Sequence, residues 1–210
     1  GAPNAPHRVD GSKTGVYENF SATGTDGVVA NDNAISFTLN ASTVNRICWL
    51  ADDESGLLIG TSGGCWAMRA SIQNEALTPT NVSAKRFTGF GSKYTRAVRS
   101  GRAVLYTQRE GRVLREITYG STRNGYTAAD VSVASGHITA GGISELAYQQ
   151  YPHETVWAIR SDGALLGMLH ALPENSENAV RGWHRHYLGG NFGTGLAEVD
   201  ALAVIPSADG

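Results

Sequence analysis

From Gly142 to Gly190 the chain breaks into four short runs rich in aromatic and branched residues: Ile143–Gln150, Thr155–Arg160, Ala164–His170 and Gly182–Leu188. Asp162-Gly163 and breaks containing Pro and Asn separate them, a pattern that predicts four antiparallel strands paired in sequence order. The two middle runs are apolar at nearly every position, as strands covered on both faces are. The last run mixes Trp183 and Tyr187 with His184, Arg185 and His186. A sheet with a dry centre and a wet outer strand is the pattern of a propeller blade, although half of a sandwich would share it.

Repetition favours the blade. The glycine before the third run recurs as Gly64, Gly111 and Gly163, about 47 and about 52 residues apart, within the range of four-stranded propeller repeats. Apolar runs precede each glycine, at Leu57–Ile59, Ala103–Tyr106 and Val156–Ile159, and others follow it, at Cys65–Met68, Val113–Ile117 and Ala164–Met168. First strands align as Arg46–Leu50, Thr95–Val98 and Glu145–Tyr148. The chain is therefore expected to be all-β and β-propeller-like, with about three four-stranded antiparallel blades plus partial flanking blades.

The expected layout follows. Residues 1–45 form the end of a preceding blade and a connecting segment, in which Ile35, Phe37 and Leu39 alternate with Ser36, Thr38 and Asn40 as a half-buried strand. Blades follow over 46–94, 95–142 and 143–192. In the first, Asn81–Thr88 is the fourth strand after a surface loop at 71–80 that holds Pro79. In the second, the chain beyond Tyr119 reads as loop, with a helical turn over Thr127–Val131. Val199–Ile205 repeats the opening of the third blade, so 193–210 is expected to start a further blade, and the sequence reads as a fragment of a larger chain.

Composition narrows the class. With 41% hydrophobic residues in 210, the chain can bury a sizeable core, and 26 glycines favour short strands and tight turns. No stretch approaches the roughly 18–20 apolar residues of a membrane-spanning helix. A formal net charge of −2 gives no electrostatic footprint for gripping nucleic acid. Basic clusters at Lys85-Arg86, Arg96–Arg99 and Arg109–Arg112 read as solvated strand edges, the last interleaved with Glu110. Cys48 and Cys65 fall on first and third strands with one strand between, and two strand spacings of about 4.8 Å exceed the reach of a disulfide. Reduced thiols packed as small hydrophobes are expected, which suits assembly in a cytoplasm.

Candidate chemistry is sparse. His184 and His186 share one strand face and could seed a metal site with Glu174 or Glu177, but two histidines on an outer strand read first as solvated edge residues. Acidic residues at Asp52, Asp53, Glu54, Glu110, Glu145, Glu154, Asp162 and Glu198 are scattered, and a glycosidase needs two converging in one cleft. Ser161-Asp162-Gly163 resembles the Asp-box turn of sialidase propellers without its following Gly and Trp; a hairpin turn explains it. Ser62–Gly64 leads into a strand, so it offers no helix N-terminus for a phosphate. No nucleophile, base and orienter set stands out. No catalytic, cofactor-binding or metal residue and no cofactor is assigned.

With those residues laid out, the chain resembles the tail nozzle family of short-tailed bacteriophages and prophages, also called tail tubular protein B or stabilization protein. The resembling stretches run in order: Pro6–Val9, Ser12–Phe20, Asp32–Leu39, Leu57–Gly64 with Trp66, Leu77–Val82, Leu146–Gln150, Trp157–Gly163 and Gly182–His186. Their order, more than any one motif, carries the likeness. It implies a non-enzymatic structural protein of the virion tail, assembled in the bacterial cytoplasm. Its copies would form a sixfold ring that contacts portal, adaptor and tail fibre or spike proteins and passes double-stranded DNA without sequence-specific binding. Other classes remain open: a glycan-binding or glycan-cleaving propeller of a tail spike, and a cellular propeller scaffold.

Overall fold

A computed structural model describes residues 4–53, 56–72, 75–120, 124–171 and 180–205. The chain divides into two compact units, 1–92 and 93–210. The fold is all-β and propeller-like. Three sheets are four-stranded antiparallel meanders in which every strand pairs with its sequence neighbour, and two further sheets are two-stranded. Among the described residues no helix is long and apolar enough to cross a membrane.

In the first unit, β1 (Arg8–Gly11) pairs with β2 (Ile35–Thr38), and the first blade runs β3 (Ile47–Asp53), β4 (Gly56–Thr61), β5 (Gly64–Ala70) and β6 (Val82–Thr88). The alternation read from 35–40 holds, with Ile35, Phe37 and Leu39 turned inward and Ser36, Thr38 and Asn40 exposed. Val9, Phe37 and Leu39 pack with Ile47, Ile59, Trp66 and Met68, so the β1–β2 pair covers one face of this blade. Cys48 and Cys65 lie on β3 and β5 with β4 between them. Cys48 Sγ donates to the Ser92 carbonyl at 3.2 Å, and Cys65 Sγ lies 3.6 Å from the Ser92 hydroxyl. Burial raises the Cys48 pKa, partly offset by Arg46.

In the second unit, the second blade comprises β7 (Val98–Ser100), β8 (Ala103–Thr107), β9 (Leu114–Gly120) and β10 (Gly125–Asp130). A short turn of 3-10 helix (Val133–Ser135) and α1 (Gly136–Thr139) lead to the third blade: β11 (Ile143–Gln149), β12 (Thr155–Arg160), β13 (Leu165–Ala171) and β14 (Val180–His186). Val98, Leu105, Leu114 and Val131 pack with Leu146, Val156, Ala158, Leu166 and Met168 in one core that joins the two blades. The middle strands are the dry ones: β8 is buried at every position, whereas β14 is mostly exposed. A small hairpin, β15 (Asn191–Phe192) with β16 (Gly195–Leu196), follows.

Three readings are corrected. Residues 125–130 form the strand β10 and not a helical turn over Thr127–Val131. Helix-compatible Ala128 and Ala129 are overridden by cross-strand pairing, in which the Tyr126 and Tyr119 rings meet edge-on at 5.2 Å and the Thr127 and Thr118 hydroxyls lie 3.2 Å apart. The first strand of the second blade begins at Val98, after Thr95 has closed a turn by donating to the Lys93 carbonyl. The described residues 199–205 take no strand: Val199 N–H donates to the Gly163 carbonyl, but no described segment supplies a ladder for them. The recurring glycines also differ in purpose. Gly111 and Gly163 hold φ of 83° and 78°, whereas Gly64 opens β5 without a positive φ, its missing Cβ leaving room for the Thr88 carbonyl.

Candidate functional site

Of the candidate residues read from the sequence, His184, His186, Glu145, Glu154 and Asp162 lie on the third blade, whereas Asp52 and Asp53 lie on β3, Glu110 in the turn between β8 and β9, and Glu54 outside the described residues. Register places Trp157 on β12 opposite Gly167 on β13, and Gly167 opposite His184 on β14, so indole, glycine and imidazole share one row and one face. Gly167 makes that row possible, because a Cβ there would strike the His184 ring. His184 and His186 meet edge-to-face with ring centroids 4.8 Å apart, and both meet Trp157, at 6.1 and 4.9 Å. Trp157 is fixed in turn: its Nε1–H donates to Gln149 Oε1 at 2.7 Å, and Gln149 Nε2 donates to the Tyr151 carbonyl at 2.9 Å. The His186 Nε2 is shut off from solvent without a hydrogen-bond partner. Burial, and then the charge of His184, lower its pKa from the ordinary 6.5.

As a metal centre this pair finds no third ligand among the described residues. Glu174 and Glu177 lie outside the described residues, and among the described residues no group of three or more His, Cys, Asp or Glu side chains is poised on one ion. A closed site of the structural kind takes four ligands.

Two clefts open beside the pair. One, of about 210 Å³, is lined by Arg160, Asp162, Leu165, His186, Tyr187 and Glu198. Of its two acids, Asp162 is already engaged: it accepts from Arg160 Nε at 2.7 Å, and that bond holds the carboxyl below its ordinary 3.8. A glycosidase general acid needs the opposite shift. The Ser161–Gly163 stretch is thus a hairpin turn pinned by its own ion pair, and Arg160 Nη1 also donates to the Ile138 carbonyl at 3.0 Å. The second cleft, of about 580 Å³, is shallower and is lined by His153, Thr155, Trp157, Leu169, Gly182, Trp183 and His184.

The structure also assembles a constellation the sequence did not reveal. Ser100 Oγ on β7 lies 2.8 Å from His170 Nδ1 on β13, His170 Nε2 lies 3.2 Å from Glu116 Oε2 on β9, and Arg181 Nε on β14 donates to the same oxygen at 3.0 Å. A carboxylate only accepts, so His170 Nε2–H donates to it, and the Ser100 hydroxyl is free to turn to suit Nδ1. Burial opposes the charge on Glu116, yet the bonds from His170 and Arg181 outweigh it and hold the carboxyl below 4.5. Serine, imidazole and carboxylate in line are the parts of a hydrolase triad, which needs the serine oxygen open to a substrate carbonyl. Ser100 is 1% exposed and His170 0%. The line acts as a brace between two blades.

Each basic cluster has one arginine engaged with its own chain, while Lys85, Arg96 and Arg112 are exposed. Arg86 Nη2 donates to the Gly63 carbonyl, Arg99 Nε to the Gly101 carbonyl, and Arg109 pairs with Glu110 at 3.7 Å. No family model matches the chain, and no curated protein matches it at a significant level.

Proposed function

We propose that this chain is a non-enzymatic structural segment of the tail nozzle of a short-tailed bacteriophage or prophage, working by shape and assembly as part of a sixfold ring through which DNA leaves the capsid. The observation that carries the reading is the order of the resembling stretches, from Pro6–Val9 to Gly182–His186, laid over a succession of propeller-like blades. A DNA conduit must surround the duplex without gripping it, because each neutralised phosphate adds salt-dependent affinity that slows passage. The formal charge of −2 suits that demand, as does the engagement of Arg86, Arg99, Arg109 and Arg160 with carbonyls and carboxylates of their own chain.

Rigid four-stranded units suit a ring, since main-chain pairing within a blade satisfies most strand edges and leaves loops to meet neighbours. The loop at 71–80 is assigned to subunit, fibre or spike contacts. So is the loop at 171–181, of which residues 172–179 lie outside the described residues. The test is electron microscopy of the purified protein together with immunogold labelling of tailed particles. Sixfold rings and label on the tail support the reading. A monomer absent from particles that hydrolyses a surface polysaccharide overturns it.

A further inference from the structure

We infer that the shallow cleft on the outer face of the third blade is a binding subsite for a neutral pyranose ring of an oligosaccharide. The inference goes beyond the nozzle reading and does not depend on it. The cleft holds about 580 Å³, and its lining combines two tryptophans (Trp157, and Trp183 whose Nε1–H is spent on the Val131 carbonyl), two imidazoles (His153 and His184), a hydroxyl (Thr155) and an aliphatic wall (Leu169), with no Asp, Glu, Lys or Arg side chain among the described residues. That chemistry selects its ligand. An uncharged lining does not compensate a phosphate or a carboxylate, so a nucleotide, which would also stack on an indole, lacks its cation. A purely apolar ligand would leave the imidazole nitrogens without partners. A pyranose offers both an apolar C–H face for the indole and a rim of hydroxyls that donate to or accept from imidazole.

The cleft is also prepared for such a ring. Trp157 is locked through Gln149 to the Tyr151 carbonyl, so little side-chain entropy remains to be lost on stacking. His184 stands nearly perpendicular to the indole, at 85°, which turns the imidazole into a side wall. Gly182 carries no side chain, and a Cβ there would meet nothing within 4 Å, so that side of the cleft stays open for neighbouring sugar units. Thr155 Oγ1 donates its proton to the His153 carbonyl at 3.0 Å and therefore faces a ligand as an acceptor.

The test is titration of the intact chain with cellohexaose, maltohexaose and chitohexaose, followed by heteronuclear NMR of the indole N–H groups and by tryptophan fluorescence. One stacked ring and a few hydrogen bonds give a saturable shift of the Trp157 resonance at a sugar concentration on the order of 1–10 mM. His184→Ala and His153→Ala each weaken it about tenfold, the worth of a hydrogen bond to a positioned group. His137→Ala, on α1 and outside the cleft lining, leaves it unchanged. The inference is overturned if no hexasaccharide moves the Trp157 resonance at about 20 mM, or if His184→Ala binds as the unaltered chain does. It is equally overturned if the resonance shifts with protein concentration alone, which would make a second copy of the chain the occupant.

Discussion

His170 and Glu116 stand 54 residues apart in the sequence and 3.2 Å apart across the joint between two blades, both closed off from water. With Arg181 on the same carboxylate oxygen and Ser100 on the far side of the imidazole, they replace apolar contact at one point of the joint by directional bonds. Such a line fixes the register of one sheet on the next more sharply than aliphatic packing does.

Removing the carboxylate tests that role. Glu116→Ala leaves the buried imidazole and the Arg181 guanidinium without their acceptor and is expected to destabilise the protein by about 3 kcal/mol in urea unfolding. Ser100→Ala removes a hydroxyl from one end of the line and costs about 1 kcal/mol. A loss under about 0.5 kcal/mol for Glu116→Ala would show that the brace contributes nothing net.

Acid should weaken the same joint. The Glu116 pKa in the folded chain lies below 4.5, so the unfolded chain binds the proton more readily. The stabilisation is complete above the ordinary value and is lost as pH falls through the folded one. Chemical unfolding from pH 6 to about pH 2.5 should show this decline, and Glu116→Gln should flatten it. An unchanged slope in that variant would place the acid sensitivity elsewhere.

Two glycines that each seat a ring should respond differently to an added methyl group. At Gly60 a Cβ would run into the Trp49 indole, which is itself buried and has nowhere to go. At Gly167 it would meet the exposed His184 ring, which is able to swing outward. Gly60→Ala is expected to cost about 2–3 kcal/mol and Gly167→Ala about 1 kcal/mol or less, read from thermal unfolding. Equal losses would contradict the difference in burial.

The His186 imidazole should titrate below 6.5 in an NMR pH series. His184→Gln removes the neighbouring charge and should raise the midpoint without restoring it fully, since burial, the larger cause, remains. A midpoint at or above 6.5 in the unaltered chain would mean that the ring lies in water.

Strands were legible at several apolar runs bounded by turn residues: β12 occupies the expected Thr155–Arg160, and the alternation at 35–40 gave the wet and dry sides of β2 correctly, whereas the apolar run 199–205 forms no strand. Reading failed where local preference and long-range pairing disagree. Ala128 and Ala129 suit a helix in isolation, but Arg115 reaches across to the Ala128 carbonyl at 2.8 Å and the tyrosine and threonine pairs complete a ladder. That His184 and His186 share a face followed from strand periodicity, since alternate residues point the same way. Ser100, Glu116 and His170 carried no signal, because each belongs to a different strand and their partnership exists only once two sheets have docked.

The first strands of the first and third blades share an irregularity as well as a position. In β3 the pairing slips between Ile47 and Trp49, and in β11 between Ile143 and Glu145, so Cys48 and Ser144, each the second residue of its strand, stand outside the ladder. Each bulge releases a side chain to bond elsewhere: Cys48 Sγ reaches the Ser92 carbonyl at 3.2 Å and Ser144 Oγ the Ile159 carbonyl at 3.0 Å, so both blades trade one rung of the ladder for one polar tie at the same place.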